Sequence, residues 1–132
     1  MVDSCNMENT IHSFQDLECW KKCKELRVEV SQIIKTFPDI EKYELVSQMR
    51  RASRSTTNNI AEGYGRFHHQ ENIQFCRISR GSLYELIDHT DIAFEEAYID
   101  KNKFDSLNIL IVTCIKILNG YINYLKKAKE QN

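Results

Sequence analysis

Arg51, Ser55, Asn58, Glu62 and Arg66 follow one another at steps of four, three, four and four, and Arg50 and Arg54 run beside them. On an α-helix that spacing puts the first set on one face and the second in a parallel row. Between Met49 and Arg80 the positive charge is carried by arginine alone: Arg50, Arg51, Arg54, Arg66, Arg77 and Arg80 stand against Glu62 and Glu71, a net of +4. A guanidinium is a planar fork of donors that fits a carboxylate or a phosphate. Two chemistries are open to such a stripe. One is a surface that binds phosphates or a partner's carboxylates. The other is an internal network, with Arg51 or Arg54 paired to Glu62 or to Glu85. The acids collect further along: Glu85, Asp88, Asp91, Glu95, Glu96, Asp100 and Asp105 face only Lys101 and Lys103. The signs are thus segregated along the chain, and the fold decides whether they meet.

Other reactive residues carry less. Glu62-Gly63-Tyr64-Gly65-Arg66 has the glycines of an anion loop, but phosphate loops precede a helix so that its N-terminus faces the anion. These glycines follow one, and the spacing predicts a helix end in which Gly63 and Gly65 supply a left-handed residue. His68 and His69 are adjacent and cannot share a helix face; they read as a solvated loop pair. Cys19 and Cys23 do share a face and read as small core thiols rather than half a zinc site. The five cysteines, Cys5, Cys19, Cys23, Cys76 and Cys114, form no disulfide framework. No spacing brings a nucleophile to a base and an orienting acid. Small bundle ribonucleases place four to six residues between an Arg and a His; here Arg80 and His89 are separated by eight. The reading is a non-enzymatic protein with no catalytic residue, no metal and no cofactor.

The elements that must hold these residues are helical. One Pro and four Gly in 132 residues favour long helices. Residues 1–12 show no periodicity and are read as a flexible N-terminal tail, and 13–130 as one bundle domain. Ser13, with Asp16 three residues on, resembles a capping box. The first helix, about 14–36, carries Leu17, Trp20, Cys23, Leu26, Val30, Ile33, Ile34 and Phe37, and Pro38 stops it. The second, about 41–64, turns Leu45, Met49, Ala52, Thr56, Ile60 and Gly63 inward. Most of these are small, which predicts a close approach to a neighbour, although Ser53 to Asn59 is poor in helix propensity. The third, about 70–98, has Phe75, Ser79, Ser82, Leu86, Thr90, Ala93 and Ala97 on one face, widened by Ile78, Leu83, Ile87 and Phe94. Asp100 caps the fourth, about 101–128, whose stripe is Phe104, Leu107, Ile111, Cys114, Leu118, Tyr121 and Leu125. Its side seams, Leu110, Ile117 and Tyr124 on one flank and Ile115 and Ile122 on the other, exceed what one partner helix covers. Short connections make an all-α, antiparallel up-down four-helix bundle. No stretch reads as the roughly 18 apolar residues of a membrane span, and no signal run opens the chain; a cytoplasmic protein without a membrane partner is expected. The net charge of −1 argues against wholesale attraction of nucleic acid.

From the second helix onward the residues carry a resemblance. Phe37-Pro38, Glu41, Tyr43-Glu44-Leu45, Gln48, Arg50-Arg51-Ala52, Ser55, Asn59-Ile60-Ala61-Glu62-Gly63 and Gly65-Arg66 stand in order, followed by Phe75, Arg80-Gly81-Ser82 and Glu85-Leu86. This resembles the four-helix-bundle family encoded by intervening sequences of bacterial 23S ribosomal RNA genes. That family is related to accessory variability determinant proteins of diversity-generating retroelements. The resemblance covers about residues 14–126. It implies a ring-like homopentamer and, from the retroelement relatives, binding to RNA or to a reverse-transcriptase-like protein. Arg50, Arg51, Asn59, Glu62, Gly63, Arg66, Gly81, Ser82 and Glu85 match the motif, with Asn59, Glu62, Gly63, Gly81, Ser82 and Glu85 as its structural members. The nucleic-acid-binding relatives are markedly basic, whereas this chain is slightly acidic. The resulting expectation is an oligomeric scaffold that binds RNA or a nucleic-acid enzyme through Arg50, Arg51, Arg54, Arg66, Arg77 and Arg80. The alternative is a pure protein-interaction module; an RNA-processing enzyme is disfavoured because no catalytic motif is present.

Overall fold

A computed structural model describes residues 13–131, so the tail read over 1–12 lies outside the described residues. Four helices follow in order: α1 Glu18–Ile33, α2 Leu45–Tyr64, α3 His69–Glu95 and α4 Lys101–Gln131. Each packs on its chain neighbours, α1 and α4 close the ring, and the backbones of the diagonal pairs α1–α3 and α2–α4 stay further apart. Cross-helix contacts fix the directions. Thr56 meets Ser79 and Ser55 meets Ser82, while Arg80 meets Asn119 and Phe94 meets Phe104, so positions rise on one helix as they fall on the next. The result is an antiparallel four-helix bundle.

The helix ends differ from the sequence reading in instructive ways. Ser13 does cap, but it caps a short 3₁₀ turn, Phe14–Asp16, by accepting the Gln15 N–H at 3.1 Å. The α-helix starts only at Glu18. At the far end α1 tightens into a 3₁₀ turn, Ile34–Thr36, before Phe37 turns extended ahead of Pro38. A further 3₁₀ turn, Asp39–Glu41, delays α2 to Leu45. Glu41 then serves two donors: the Leu45 N–H at 3.3 Å and the Tyr98 hydroxyl at 2.8 Å. Asp100 caps α4 as expected, accepting the Lys103 N–H at 2.8 Å.

The left-handed residue is not where the glycines suggested. No glycine among the described residues has positive φ; Gly65 sits at φ −76°. The left-handed position is Ala97, φ 63°, which closes α3 in a Schellman pattern with Tyr98 N–H to Ala93 O at 2.9 Å and Ala97 N–H to Phe94 O at 3.0 Å. Ala97 is therefore exposed past the helix end, not on the inner face of α3.

Gly63 has a different task, which is close packing. A Cβ there would stand 2.6 Å from Asn72 Oδ1 and 3.0 Å from both the Asn72 carbonyl oxygen and Phe75 Cβ. Asn72 cannot swing aside freely, because it is buried, donates to the Tyr121 hydroxyl at 3.1 Å and accepts from the Cys76 thiol at 3.5 Å. The α2–α3 interface is the most extensive in the bundle, and α2 buries every residue of its expected inner face. The Ser53 to Asn59 run stays helical because packing against α3 overrides its weak propensity, and its polar side chains are satisfied on the helix's own carbonyls. Ser53 donates to Arg50 O, Thr56 to Ser53 O, Thr57 to Arg54 O and Asn59 to Ser55 O, at 2.7 to 3.3 Å.

α4 buries Leu107, Ile111, Cys114, Ile115, Leu118, Ile122 and Leu125. By length and composition it is apolar enough to be compared with a membrane span, against the sequence expectation that no stretch is. Its buried stripe is that of a core helix, whereas Ile109, Val112 and Tyr124 remain exposed. The Ile115–Ile122 seam is buried; the Leu110–Ile117–Tyr124 seam is half-buried to exposed. On α3, Ile78 faces solvent rather than widening the core.

Cys19, Cys23, Cys76 and Cys114 are buried free thiols. Burial pushes Cys19 and Cys76 up to about 12, and contact with the Cys114 thiol together with burial pushes Cys23 up as well. The hydrogen bond to Glu41 raises Tyr98 to about 12, and burial raises Tyr121 to about 12. All these groups hold protons in the fold that the unfolded chain releases nearer 9 to 10. The unfolded state binds fewer protons in that window, so stability falls as pH rises. Thermal melts are expected to be flat just below about pH 9 and to fall progressively from there toward pH 12. Gly63→Ala is expected to cost on the order of 1 kcal/mol in urea unfolding. Overpacking of about 1–3 kcal/mol outweighs a helix-propensity gain of about 1 kcal/mol.

Candidate nucleic-acid interface

Because α2 gives its small and hydroxyl-bearing residues to the core, its arginines have only the outer surface left. Arg50, Arg51 and Arg54 are exposed, and none has an ion pair or hydrogen-bonded partner among the described residues. They line one open groove of about 450 Å³ with Ser47, Ser55, Asn58 and Asn59, and no carboxylate borders it. The floor of the groove is ordered. Asn59 Nδ2 donates to the Ser55 hydroxyl at 2.9 Å, and Ser82 of α3 donates to the same oxygen at 2.8 Å.

The internal network considered for these arginines does not form. Glu62 is taken by Arg66 at 2.9 Å, and Glu85 by His89 Nε2 at 3.2 Å. No ion pair among the described residues joins an arginine of the 49–80 stretch to an acid of the 85–105 stretch. Segregation along the sequence persists in space, leaving the basic face of α2 uncompensated.

The six arginines divide by role. Arg66 lies at the bundle end, paired to Glu62 and at 3.7 Å to Glu71, with its guanidinium 4.8 Å over the Phe75 ring. Arg80 is half-buried and donates to Asn119 Oδ1 of α4 at 2.8 Å, so it ties α3 to α4. Arg80 is thus occupied between helices, whereas Arg66, though paired, stays exposed. Arg77 is exposed on α3 without a partner among the described residues. Arg50, Arg51 and Arg54 are the contiguous free set.

The motif residues sort likewise. Ser82 and Gly63 build the α2–α3 contact and Asn59 braces Ser55 beneath it, while Glu62 holds Arg66 just past the end of α2 and Glu85 holds His89 one turn on along α3. Gly81 has open space where a Cβ would stand. A family model for the 23S rRNA-intervening sequence protein matches residues 15–120. The chain belongs to that family. The match takes in α1, α2, α3 and most of α4, so this family member carries the arginine groove inside the region that defines the family. No curated protein shows significant similarity to the chain.

Arg80 and His89, weighed for a ribonuclease, do not converge. Nine residues on a helix place them about half a turn apart. His89 is buried with Nδ1 unpartnered and Nε2 on Glu85. The sequence reading missed Arg27 of α1. It donates to Thr57 Oγ1 of α2 at 2.8 Å and stands beside Arg50 and Arg54. A lone arginine among apolar and acidic neighbours on α1 carries no signal of that role until the two helices pack.

Removing single arginines should separate the two groups. Arg80→Ala and Arg66→Ala are expected to lower stability by about 1 kcal/mol each, through a lost charged hydrogen bond and a lost cation–π contact. Arg50→Gln, Arg51→Gln, Arg54→Gln and Arg77→Gln should stay within about 0.5 kcal/mol of the parent. Urea titrations followed by circular dichroism would check both.

Proposed function

We propose that the protein is a non-enzymatic, homo-oligomeric scaffold that binds RNA through the arginine face of α2. A nucleic-acid enzyme of the reverse-transcriptase type is a further partner on this reading. The observation that carries it is the acid-free groove lined by Arg50, Arg51 and Arg54, none of which has an ion partner among the described residues. Keeping like charges at i, i+4 on a helix costs about 0.2–0.5 kcal/mol. No acid among the described residues offsets that cost, and a bound polyanion would. The arginine forks suit phosphate oxygens, and the polar Ser47, Asn58 and Asn59 supply neutral hydrogen bonds beside them.

A ring of copies, a homopentamer by the resemblance, would repeat the groove and raise the effective concentration of weak sites along one strand. Exposed apolar side chains support self-association. Ile78 and Tyr84, 53% and 56% exposed, flank Gly81 on α3, and Ile109 and Tyr124 flank Gly120 on α4. Both glycines are open to a neighbouring backbone. A cytoplasmic location accords with four buried free thiols. The same apolar faces, with the net charge of −1, also suit a module that binds only protein.

Filter binding of a single-stranded oligoribonucleotide at low salt distinguishes the two. RNA retention is expected to weaken with salt, by about 0.7 log units per log unit of salt for each phosphate contacted. The double variant Arg50→Glu/Arg54→Glu should lose RNA while keeping its oligomeric state. No retention by the parent protein would leave only the protein-binding reading. Light scattering at micromolar concentration should show an assembly, and a monomer there would end the oligomeric part.

A further inference from the structure

We propose that the cleft between α1 and α2 is a phosphate seat, in which Arg27 joins Arg50 and Arg54 to hold one phosphate of a phosphodiester or polyphosphate chain. The inference rests on reading the α2 face as a polyanion surface and names its most ordered subsite. The cleft is small, about 160 Å³, and is lined by Arg27, Val28, Ser31, Ile34, Arg50, Ser53 and Arg54. Three arginines line it, and no acid does so among the described residues. Arg50 and Arg54 also line the larger groove beside it, so the two depressions share them. Adjacent seats with common guanidinium groups suit an anion that carries its charges in series.

Arg27 is what turns an exposed basic row into a built site. One of its nitrogens is held at 2.8 Å by Thr57 Oγ1, and Thr57 is itself buried and donates to the Arg54 carbonyl at 3.3 Å. The long side chain is thereby fixed across the helix interface before any ligand arrives. Its remaining N–H groups have no acceptor among the described residues. A preordered fork loses less rotamer entropy on binding than a free one. The donors come from two helices, with the exposed Ser31 hydroxyl at the lip. A carboxylate is satisfied by one in-plane fork, whereas a tetrahedral phosphate accepts from several directions. The convergence of donors therefore favours phosphate.

The test compares the full chain with Arg27→Gln and Ser31→Glu, using a single-stranded oligoribonucleotide and inorganic tripolyphosphate as probes. Ser31→Glu puts a carboxylate at the lip and leaves the Arg27–Thr57 bond in place; circular dichroism melts check that both variants fold. Arg27→Gln should weaken both probes about tenfold, the size of one lost charge-assisted hydrogen bond. It should also reduce the salt slope for RNA by about 0.7. Ser31→Glu should weaken both probes at least as much. If tripolyphosphate is bound and senses both variants while RNA is not retained, the seat stands, the ligand is a free polyphosphate and the RNA reading falls. If RNA binding is lost in Arg51→Glu but unchanged in Arg27→Gln and Ser31→Glu, the groove stands and the seat is overturned. Binding of neither probe to the parent protein overturns both.

Discussion

The close approach of α2 and α3 is the constraint on which the other features depend. Gly63 admits Asn72 where any Cβ would collide, and Ser79 donates to the Thr56 carbonyl across the same interface. Small side chains bring two backbones together, and buried hydroxyls must then find acceptors at once, because an unmatched polar group in a core is costly. Ser53, Thr56 and Thr57 meet that demand on their own helix. With the small and hydroxyl-bearing residues committed inward, the guanidinium groups of α2 have no place but the surface.

That placement explains why charge segregation along the chain survives folding. In an antiparallel bundle the start of α2 lies near the end of α3 and the start of α4, where the acids collect. Yet Glu62 and Glu85 are taken by residues four positions on in the chain, Arg66 just past α2 and His89 on α3. Local i, i+4 pairs need little ordering, whereas a pair between helices must hold two long side chains in one geometry. The groove of Arg50, Arg51 and Arg54 is what the local pairs leave over. Arg27, reaching from α1 onto Thr57, extends the same surface over a second helix. The protomer thus presents a basic strip on one side and exposes apolar residues on α3 and α4.

Much was legible in the residues alone. The steps of three and four marked the inner faces of α2, with Leu45, Met49, Ala52, Thr56, Ile60 and Gly63 all buried, and most of those of the other helices; Trp20, Phe75, Phe104 and Tyr121 are only half-buried, and Ile78 and Ala97 are exposed. Pro38 and Asp100 marked a stop and a start because their backbone and side-chain demands are local. The arginine row was visible as a row for the same reason, since helical spacing is a property of one segment.

Only the tertiary structure decided what those arginines touch. Arg66 and Arg80 share the type and stretch of Arg50 and Arg51, yet one rests on Phe75 and the other on Asn119 of a different helix. Gly63 looked like a helix terminator and proved to be a packing glycine, because the atom it avoids belongs to α3. The end of α2 takes no left-handed residue, and Ala97 instead adopts one where the chain turns from α3 to α4. Periodicity records which side of a helix a residue occupies. Which neighbour that side meets depends on how four helices pack together, and no single segment carries that information.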